Sequence, residues 1–332
     1  MGKIKEYVRK IKDYMESQDL KGKKSFLAIF IDIVFCTIRY GATISDYFIY
    51  RFYSKKGFER KKYMTAKDKN RFYEVMNDKQ ARTFIQNKDV FNENFAEFIK
   101  RDSIATPDCG EEEFYNFLKN HPVVFIKPVA TGGGFGVEKV YVDAETNFAD
   151  LWKQTEKKGK CVVEAGIVQH HALAEIHPQS INSVRVATLY FEDRVDILFA
   201  ELRCGTGDNY VDNHMSGGIT MQVDVEEGKV SSRASSKKSL NIIRHPDTGV
   251  FLPGFQIPHW DKCIELVKSA AQKVNGIRYV GWDLAIMEDD VCLIEANPSG
   301  DFNIYQESIQ AGCKEEMDEI IDKVKNAQKN GI

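Results

Sequence analysis

Residues 281–302, GWDLAIMEDDVCLIEANPSGDF, hold two strand-favouring apolar runs, WDLAIM and VCLIEAN, on either side of the acidic turn EDD. That pattern predicts a β-hairpin. With Met287 opposite Val291 across a three-residue loop, the same register sets Asp283 opposite Glu295. Side chains alternate along a strand, so Glu295 and Asn297 share a face, and Asp283 joins them from the neighbouring strand. The facing Cβ atoms are then roughly 4.5–5.5 Å apart. Two carboxylates so placed repel unless a cation lies between them. An amide oxygen two residues along completes an all-oxygen set, better suited to Mg²⁺ than to zinc. The competing reading is a hairpin end whose charges face water, and the hairpin alone does not choose between the two.

The surrounding chain has a matching texture. HPVVFIKP, KVYVD, KCVVEA, SVRVATLYF, VDILFAELR and GGITMQVDV read as strands, while helical periodicity fills the first eighty residues and returns at 260–275 and 314–329. The expected fold class is α+β, with a helical N-terminal region over 1–80 and a strand-rich catalytic part over 81–332. At 332 residues and 43% hydrophobic content, the chain can bury a substantial core.

Charge is close to balanced at −3, so nothing points to nucleic acid. It is unevenly spread, however: residues 1–62 hold fifteen Lys/Arg against seven Asp/Glu, which hints at an anionic partner for the N-terminus. There, KIKEYVRKIKDYM sets Ile4, Tyr7, Val8, Ile11, Tyr14 and Met15 on one helical face, opposite Lys and Arg. Such a helix either packs on a neighbour or lies on an anionic membrane surface. DYFIYRFY (46–53) reads as helix core. The run FLAIFIDIVFCTI (26–38) is too short to span a bilayer and contains Asp32. Seven widely spaced cysteines without a C-x-x-C pair predict free thiols. With no signal-peptide pattern visible, a cytoplasmic location is expected, with contact at the inner membrane face through the basic N-terminus.

A second informative stretch is VVFIKPVATGGGFGVEKVYV (123–142), in which Lys127 precedes Thr131, Gly132, Gly133, Gly134 and Gly136. Glycines lack Cβ, so their backbone N–H groups can wrap phosphate oxygens; a flexible hairpin turn would use the same residues. No G-K-[ST] closes the loop and no helix follows, which excludes Walker A and Rossmann turns. The H-R-D catalytic loop of protein kinases is missing too. Arg185 lies within the apolar strand SVRVATLYF, and a buried arginine needs an anionic partner. Arg203 closes the next strand and would otherwise be a solvated strand end. His214, in a polar loop, reads as a loop residue before it reads as a base.

The order of FIKP, the glycine-rich hairpin, VVEAGIVQH, SVRVATL, DNHMSGG and GWDLAI…LIEANPSG resembles the ATP-grasp superfamily. INSVRVATL, LRCGTGDNYVDNHMSGGI, HPDTGVFLPGFQIPHW and GWDLAIMEDDVCLIEANPSGDFNIYQ resemble its sugar-transfer-associated branch, found with bacterial surface-polysaccharide genes, over roughly 40–310. The resemblance implies two α+β lobes gripping ATP: a lid over about 105–163, a catalytic lobe over about 164–310 and a terminal helix over 314–329. Lys88 and Lys127 would hold the ATP phosphates from the lid side. The segment holding Glu164, Ala165 and Ile167 would present its backbone to adenine. The ribose partner stays open among Gln169, His170, His171 and Glu175. Arg185 and Arg203 match residues that neutralise the γ-phosphate and an acyl phosphate, and Asn213 with Gly217 and Gly218 matches an element beside the phosphates. Asp283, Glu295 and Asn297 match the Mg²⁺ ligands.

The implied activity is ATP-dependent ligation of a carboxylate to an amine through an acyl phosphate, in surface-polysaccharide assembly. Substrates would be small molecules or lipid-linked, shaped by 208–215 and 300–306, with a glycosyltransferase as a candidate partner. The alternatives are phosphotransfer to a hydroxyl group and a non-catalytic nucleotide-binding role beside a glycosyltransferase.

Overall fold

The computed structural model describes residues 2–129, 136–214, 217–300 and 302–329. The chain opens with helices α1 (Gly2–Ser17), α2 (Phe26–Tyr40), α3 (Ile44–Ile49), α4 (Gly57–Arg60) and α5 (Ala66–Met76), and a 3₁₀ turn, Phe52–Ser54, follows α3. Local chemistry sets their ends. α2 stops at Gly41, whose φ of 67° suits glycine. α3 starts in a capping box, where Asp46 N–H donates to Thr43 Oγ1 (3.1 Å) and Thr43 N–H to Asp46 Oδ2 (2.9 Å). Tyr47, Phe48, Tyr50 and Phe52 are fully buried, so DYFIYRFY is core. Tyr14 stacks on Phe48 at 4.9 Å, and Ile11 and Met15 are buried. The C-terminal half of α1 therefore packs on a neighbour, whereas Ile4 and Tyr7 near its start are exposed.

Short helices α6 (Lys79–Gln86), α7 (Lys88–Asn94) and α8 (Ala96–Ile99) lead to a four-stranded antiparallel sheet. Its strands are β1 (Ser103–Thr106), β2 (Val123–Pro128), β3 (Glu138–Tyr141) and β4 (Cys161–Ala165), in the order β1-β4-β2-β3. Helices α9 (Gly110–Asn120) and α10 (Phe148–Lys157) cover one face, where Phe114, Leu118 and Trp152 pack on Val124, Ile126 and Val163. Strand alternation sends Phe125, Lys127 and Glu164 to the other face, with Phe125 directly opposite Glu164.

A short helix, α11 (His171–Ile176), precedes a five-stranded antiparallel sheet of order β7-β6-β5-β8-β9. It contains β5 (Val184–Phe191), β6 (Arg194–Cys204), β7 (Ile219–Val223), β8 (Tyr279–Ile286) and β9 (Val291–Asn297), with α12 (Trp260–Ala271) inserted before β8. α13 (Phe302–Ile309) and α14 (Lys314–Lys329) complete the chain. Val184, Val186, Leu202, Trp282 and Leu284 join the large core that includes α12. On the opposite face, Ala187, Leu189, Phe199 and Tyr279 pack with Phe72, Phe302 and Met317 of α5, α13 and α14. Arg185, Arg203 and Asp283 have the same strand parity as this second set, at its uncovered end. The chain thus has the expected α+β class, with helices on one face of the four-stranded sheet and on both faces of the five-stranded one. The seven cysteines are all free.

The β8–β9 hairpin departs from the expected three-residue loop. Ile286 faces Val291, so the loop is four residues long, and the register shifts between Asp283 and Leu284. Ile294 is the extra residue of a β-bulge. The bulge cancels the longer loop and restores Asp283 opposite Glu295.

Asn77, at the end of α5, fixes the base of this hairpin. Its buried side chain donates to the carbonyls of Tyr279 (2.8 Å) and Pro298 and accepts from the amides of Arg278 (3.0 Å) and Tyr279 (2.9 Å). Asn77→Ala removes these four bonds, although the Arg278 amide keeps the Met76 carbonyl (3.1 Å) as an acceptor. The expected loss is about 3 kcal/mol, measured by urea unfolding; a loss below about 0.5 kcal/mol would show that the clamp is dispensable.

Candidate functional site

The uncovered faces of the two sheets meet across a cavity of about 720 Å³. Lys88, Lys127, Glu164, Ala165, Ile167, Arg185, Arg203, Asn213, Asp283, Glu295 and Asn297 all line it. Thr131, Gly132, Gly133 and Gly134 lie outside the described residues. Gly136 is described, with φ of 74°, but is not part of the lining.

On the side of the four-stranded sheet the organising group is the buried Glu164 carboxylate. Its Oε2 accepts from Lys127 and from Arg101 Nη2 (2.7 Å) and Nε (3.0 Å), and its Oε1 accepts from Asn92 of α7 (3.2 Å). Burial pushes the Glu164 pKa up, but Lys127 and Arg101 outweigh it and hold the group at about 2. Arg101 also donates to the carbonyls of Leu293 and Ile294, the latter being the bulge residue. Lys88, the first residue of α7, donates to the Pro128 carbonyl (2.9 Å). Burial lowers its pKa.

On the opposite side, Arg185 forms a two-pronged pair with Asp283, its register partner on β8. Burial opposes ionisation of Asp283, but Arg185 and Arg203 together lower its pKa. A Cβ on Gly281 would lie 3.1 Å from Cδ of Arg185, so glycine there leaves room for the pair. Arg203 is buried, with Nη1 3.8 Å from Asp283 and Nη2 3.4 Å from Glu201; it is not a solvated strand end. Its Nε lacks a hydrogen-bond partner among the described residues. Glu295 opens onto the cavity, where reduced hydration within the cleft and the Asp283 carboxylate raise its pKa. The Asn297 amide donates to Glu295 (3.0 Å).

These donors fit a hard divalent cation. Asp283 and Glu295 face each other across the hairpin, and two facing carboxylates repel unless a cation lies between them. Asn297 adds an amide oxygen beside them.

Other expectations fare differently. The amides of Ala165 and Gly166 bond to the carbonyls of Asp102 (3.0 Å) and Val123 (2.8 Å), so those two N–H groups are engaged within the sheet. Gln169, His170, His171 and Glu175 do not line the cavity. Gln169 instead donates to the carbonyls of His177 and Ser180 and accepts from the amide of Asn182. His214 is buried, with Nε2 3.0 Å from Glu307 of α13. Gly218 follows from packing, because a Cβ there would lie 2.3 Å from the Asp212 carbonyl oxygen.

Sequence reasoning missed Arg101 and the N-terminal wall. Asp46, Lys69, Asn70 and Tyr73 line the cavity; Lys69 donates to Asp46 (3.0 Å) and to Asn303. One signal was available, since Lys69 shares a helical face with the buried Phe72, Tyr73 and Met76. For Arg101, which stands two residues before a short strand, there was none.

The profile of the sugar-transfer associated ATP-grasp family matches residues 141–322, more than half of the chain. The chain belongs to this family. A comparison with curated proteins gives no match. Among solved structures, the ATP-grasp ligase PsnB bound to a minimal precursor is 15% identical, with a TM-score of 0.46, over 74% of this chain and 63% of its own. The VanG D-Ala:D-Ser ligase from Enterococcus faecalis is 14% identical, with a TM-score of 0.49, over 75% and 64%. D-alanyl-alanine synthetase A from Vibrio cholerae O1 biovar eltor is 10% identical, with a TM-score of 0.45, over 75% and 68%. This ATP-grasp chain therefore spans less than two thirds of the length of the PsnB and VanG chains.

The Glu164 ion pairs carry a pH signature. With its pKa at about 2 against an ordinary 4.5, the group contributes stability that is fully present above pH 4.5 and is lost as the pH falls towards 2. That contribution is about 3 kcal/mol. Glu164→Gln should be less stable than wild type at neutral pH, and the gap should narrow in urea titrations as the pH drops through this window. A gap that stays constant would contradict the assignment.

Proposed function

We propose that this protein is an ATP-dependent carboxylate–amine ligase working through an acyl-phosphate intermediate. The observation that carries the reading is the cavity itself, in a chain of this family. A lysine-bearing sheet face looks across it at a hairpin with two facing carboxylates and an amide oxygen, and two buried arginines lie beside them.

Asp283, Glu295 and Asn297 would hold Mg²⁺, which when bound neutralises charge on the β- and γ-phosphates. Lys88 and Lys127 would hold the same phosphates from the lid. A substrate carboxylate oxygen attacks the γ-phosphorus, the bond to the β–γ bridging oxygen breaks, and ADP leaves. Arg185 and Arg203 supply fixed positive charge where the transition state gathers negative charge. The Nε of Arg203, without a partner among the described residues, supports an anionic ligand, because a desolvated donor without a partner is destabilising until one arrives. The amine nitrogen then attacks the acyl carbon, releases its proton and expels phosphate, leaving an amide. Asp46, Lys69 and Asn303 give the cavity's far wall polar groups suited to an acceptor substrate.

The family's association with sugar transfer supports a substrate in surface-polysaccharide assembly, either a small uronic acid or a lipid-linked one, with a glycosyltransferase as partner at the cytoplasmic face.

The test is ADP release from Mg²⁺-ATP with pooled uronic and amino acids and hydroxylamine as surrogate amine. Hydroxamate formed together with ADP is the expected result, and Glu295→Gln should lower the rate about 100-fold or more. A phosphorylated sugar without hydroxamate would move the protein to the phosphotransferase reading. ADP release unchanged in Glu295→Gln would remove Glu295 from the site.

A further inference from the structure

α2 is apolar on all sides. Its inward face buries Ile29, Ile33 and Cys36 against the N-terminal core. Its outward face carries Leu27, Phe30, Ile31, Val34, Phe35 and Ile38, between 40% and 82% exposed. These positions follow the i, i+3, i+4, i+7 spacing of a single helical stripe. The helix has only two charged residues. Asp32 turns inward, accepting from Arg60 Nη1 (2.7 Å) and Nη2 (2.8 Å) and from Tyr47 OH (2.8 Å). Arg39 lies at its C-terminal end. A stripe of this kind is far more apolar than an ordinary surface helix requires, and contiguous patches of this sort mark an interaction face.

We propose that the outward face of α2 docks into the interfacial layer of a bilayer containing anionic lipid. The inference rests on this surface and not on the ligase reading. At 15 residues, α2 is about 22 Å long, short of the roughly 30 Å hydrocarbon core, and among the described residues no helix is long and apolar enough to cross a membrane. It can lie in the interface without spanning it.

Charge selects lipid over a second copy of the chain. Lys24 precedes α2 and Arg39 ends it, both exposed, and long basic side chains at such positions reach headgroups while their stems stay in the apolar layer. Lys12 of α1 sits 6.0 Å from the Phe26 ring centroid, bringing α1 with its exposed Arg9 and Lys10 alongside the start of α2. Two copies meeting through this face would bring together two regions with fifteen Lys/Arg against seven Asp/Glu each, whereas phosphatidylglycerol headgroups complement them. The basic α1, half of whose apolar face packs inward, then serves as the electrostatic flank to an insertion made by α2.

The experiment is flotation of the full chain with vesicles of equimolar phosphatidylglycerol and phosphatidylcholine, and with phosphatidylcholine alone. Wild type should float with the anionic vesicles and be released by salt. The triple variant Leu27→Glu/Ile31→Glu/Ile38→Glu should lose binding about tenfold or more, with its thermal melt unchanged because the three side chains are exposed. As a second readout independent of that variant, Ile38→Trp should shift its emission to the blue on adding anionic vesicles. Equal flotation of wild type and triple variant, or no shift from Ile38→Trp, overturns the proposal. So does a wild-type dimer that ignores vesicles and that the triple variant converts to monomer, which would assign the face to a second copy.

Discussion

The buried carboxylate of Glu164 joins elements that are far apart in the sequence. A carboxylate taken out of water is unfavourable unless its charge and lone pairs are matched. Here Lys127 comes from the same sheet, Asn92 from α7, and Arg101 from the approach to β1. Arg101 continues to the carbonyls of Leu293 and Ile294 in strand β9. The four-stranded sheet, the lysine-bearing helix α7 and the β8–β9 hairpin thus converge on one anion. This sets the separation between Lys127 and the carboxylate pair, and with it the width of the cavity.

The opposite wall depends on a second balance. Arg185 grips Asp283 and Arg203 stands nearby, which together lower its pKa, while reduced hydration and the facing Asp283 raise that of Glu295. The two facing carboxyl groups therefore sit in opposite electrostatic settings, one clamped by arginine and one open to the cavity. The wall is also built on strand parity: the face that packs Ala187, Phe199 and Tyr279 under α5, α13 and α14 continues as Arg185, Arg203 and Asp283 where those helices end. One periodic pattern makes both the core and the site.

That pattern was legible in the sequence, and so was the α+β class. Alternation within VVFIKP and GWDLAI assigns faces without any knowledge of the partner strand. The facing of Asp283 and Glu295 was legible for a reason that proved incomplete: the loop is one residue longer than expected, and a bulge at Ile294 compensates. Bulges come from cross-strand geometry, which a single segment does not encode. Arg101 was illegible as a site residue because its partner Leu293 is far away in sequence, and Lys69 showed only as a lysine on a buried helical face, its partner Asn303 being equally distant. For α2, length ruled out a membrane span, but which stripe faces outward depends on Ile29 and Ile33 packing against the N-terminal core.

The claim on which the rest turns is that the hairpin and the lid lysines together hold a metal-bound nucleotide in the cavity between the sheets. Calorimetric titration of the wild-type protein with ADP, in Mg²⁺ and then in excess chelator, addresses it in one comparison. Binding that is saturable in Mg²⁺ and at least tenfold weaker in chelator is the expected result. ADP binding that is equally tight without the metal would contradict the role given to Asp283, Glu295 and Asn297.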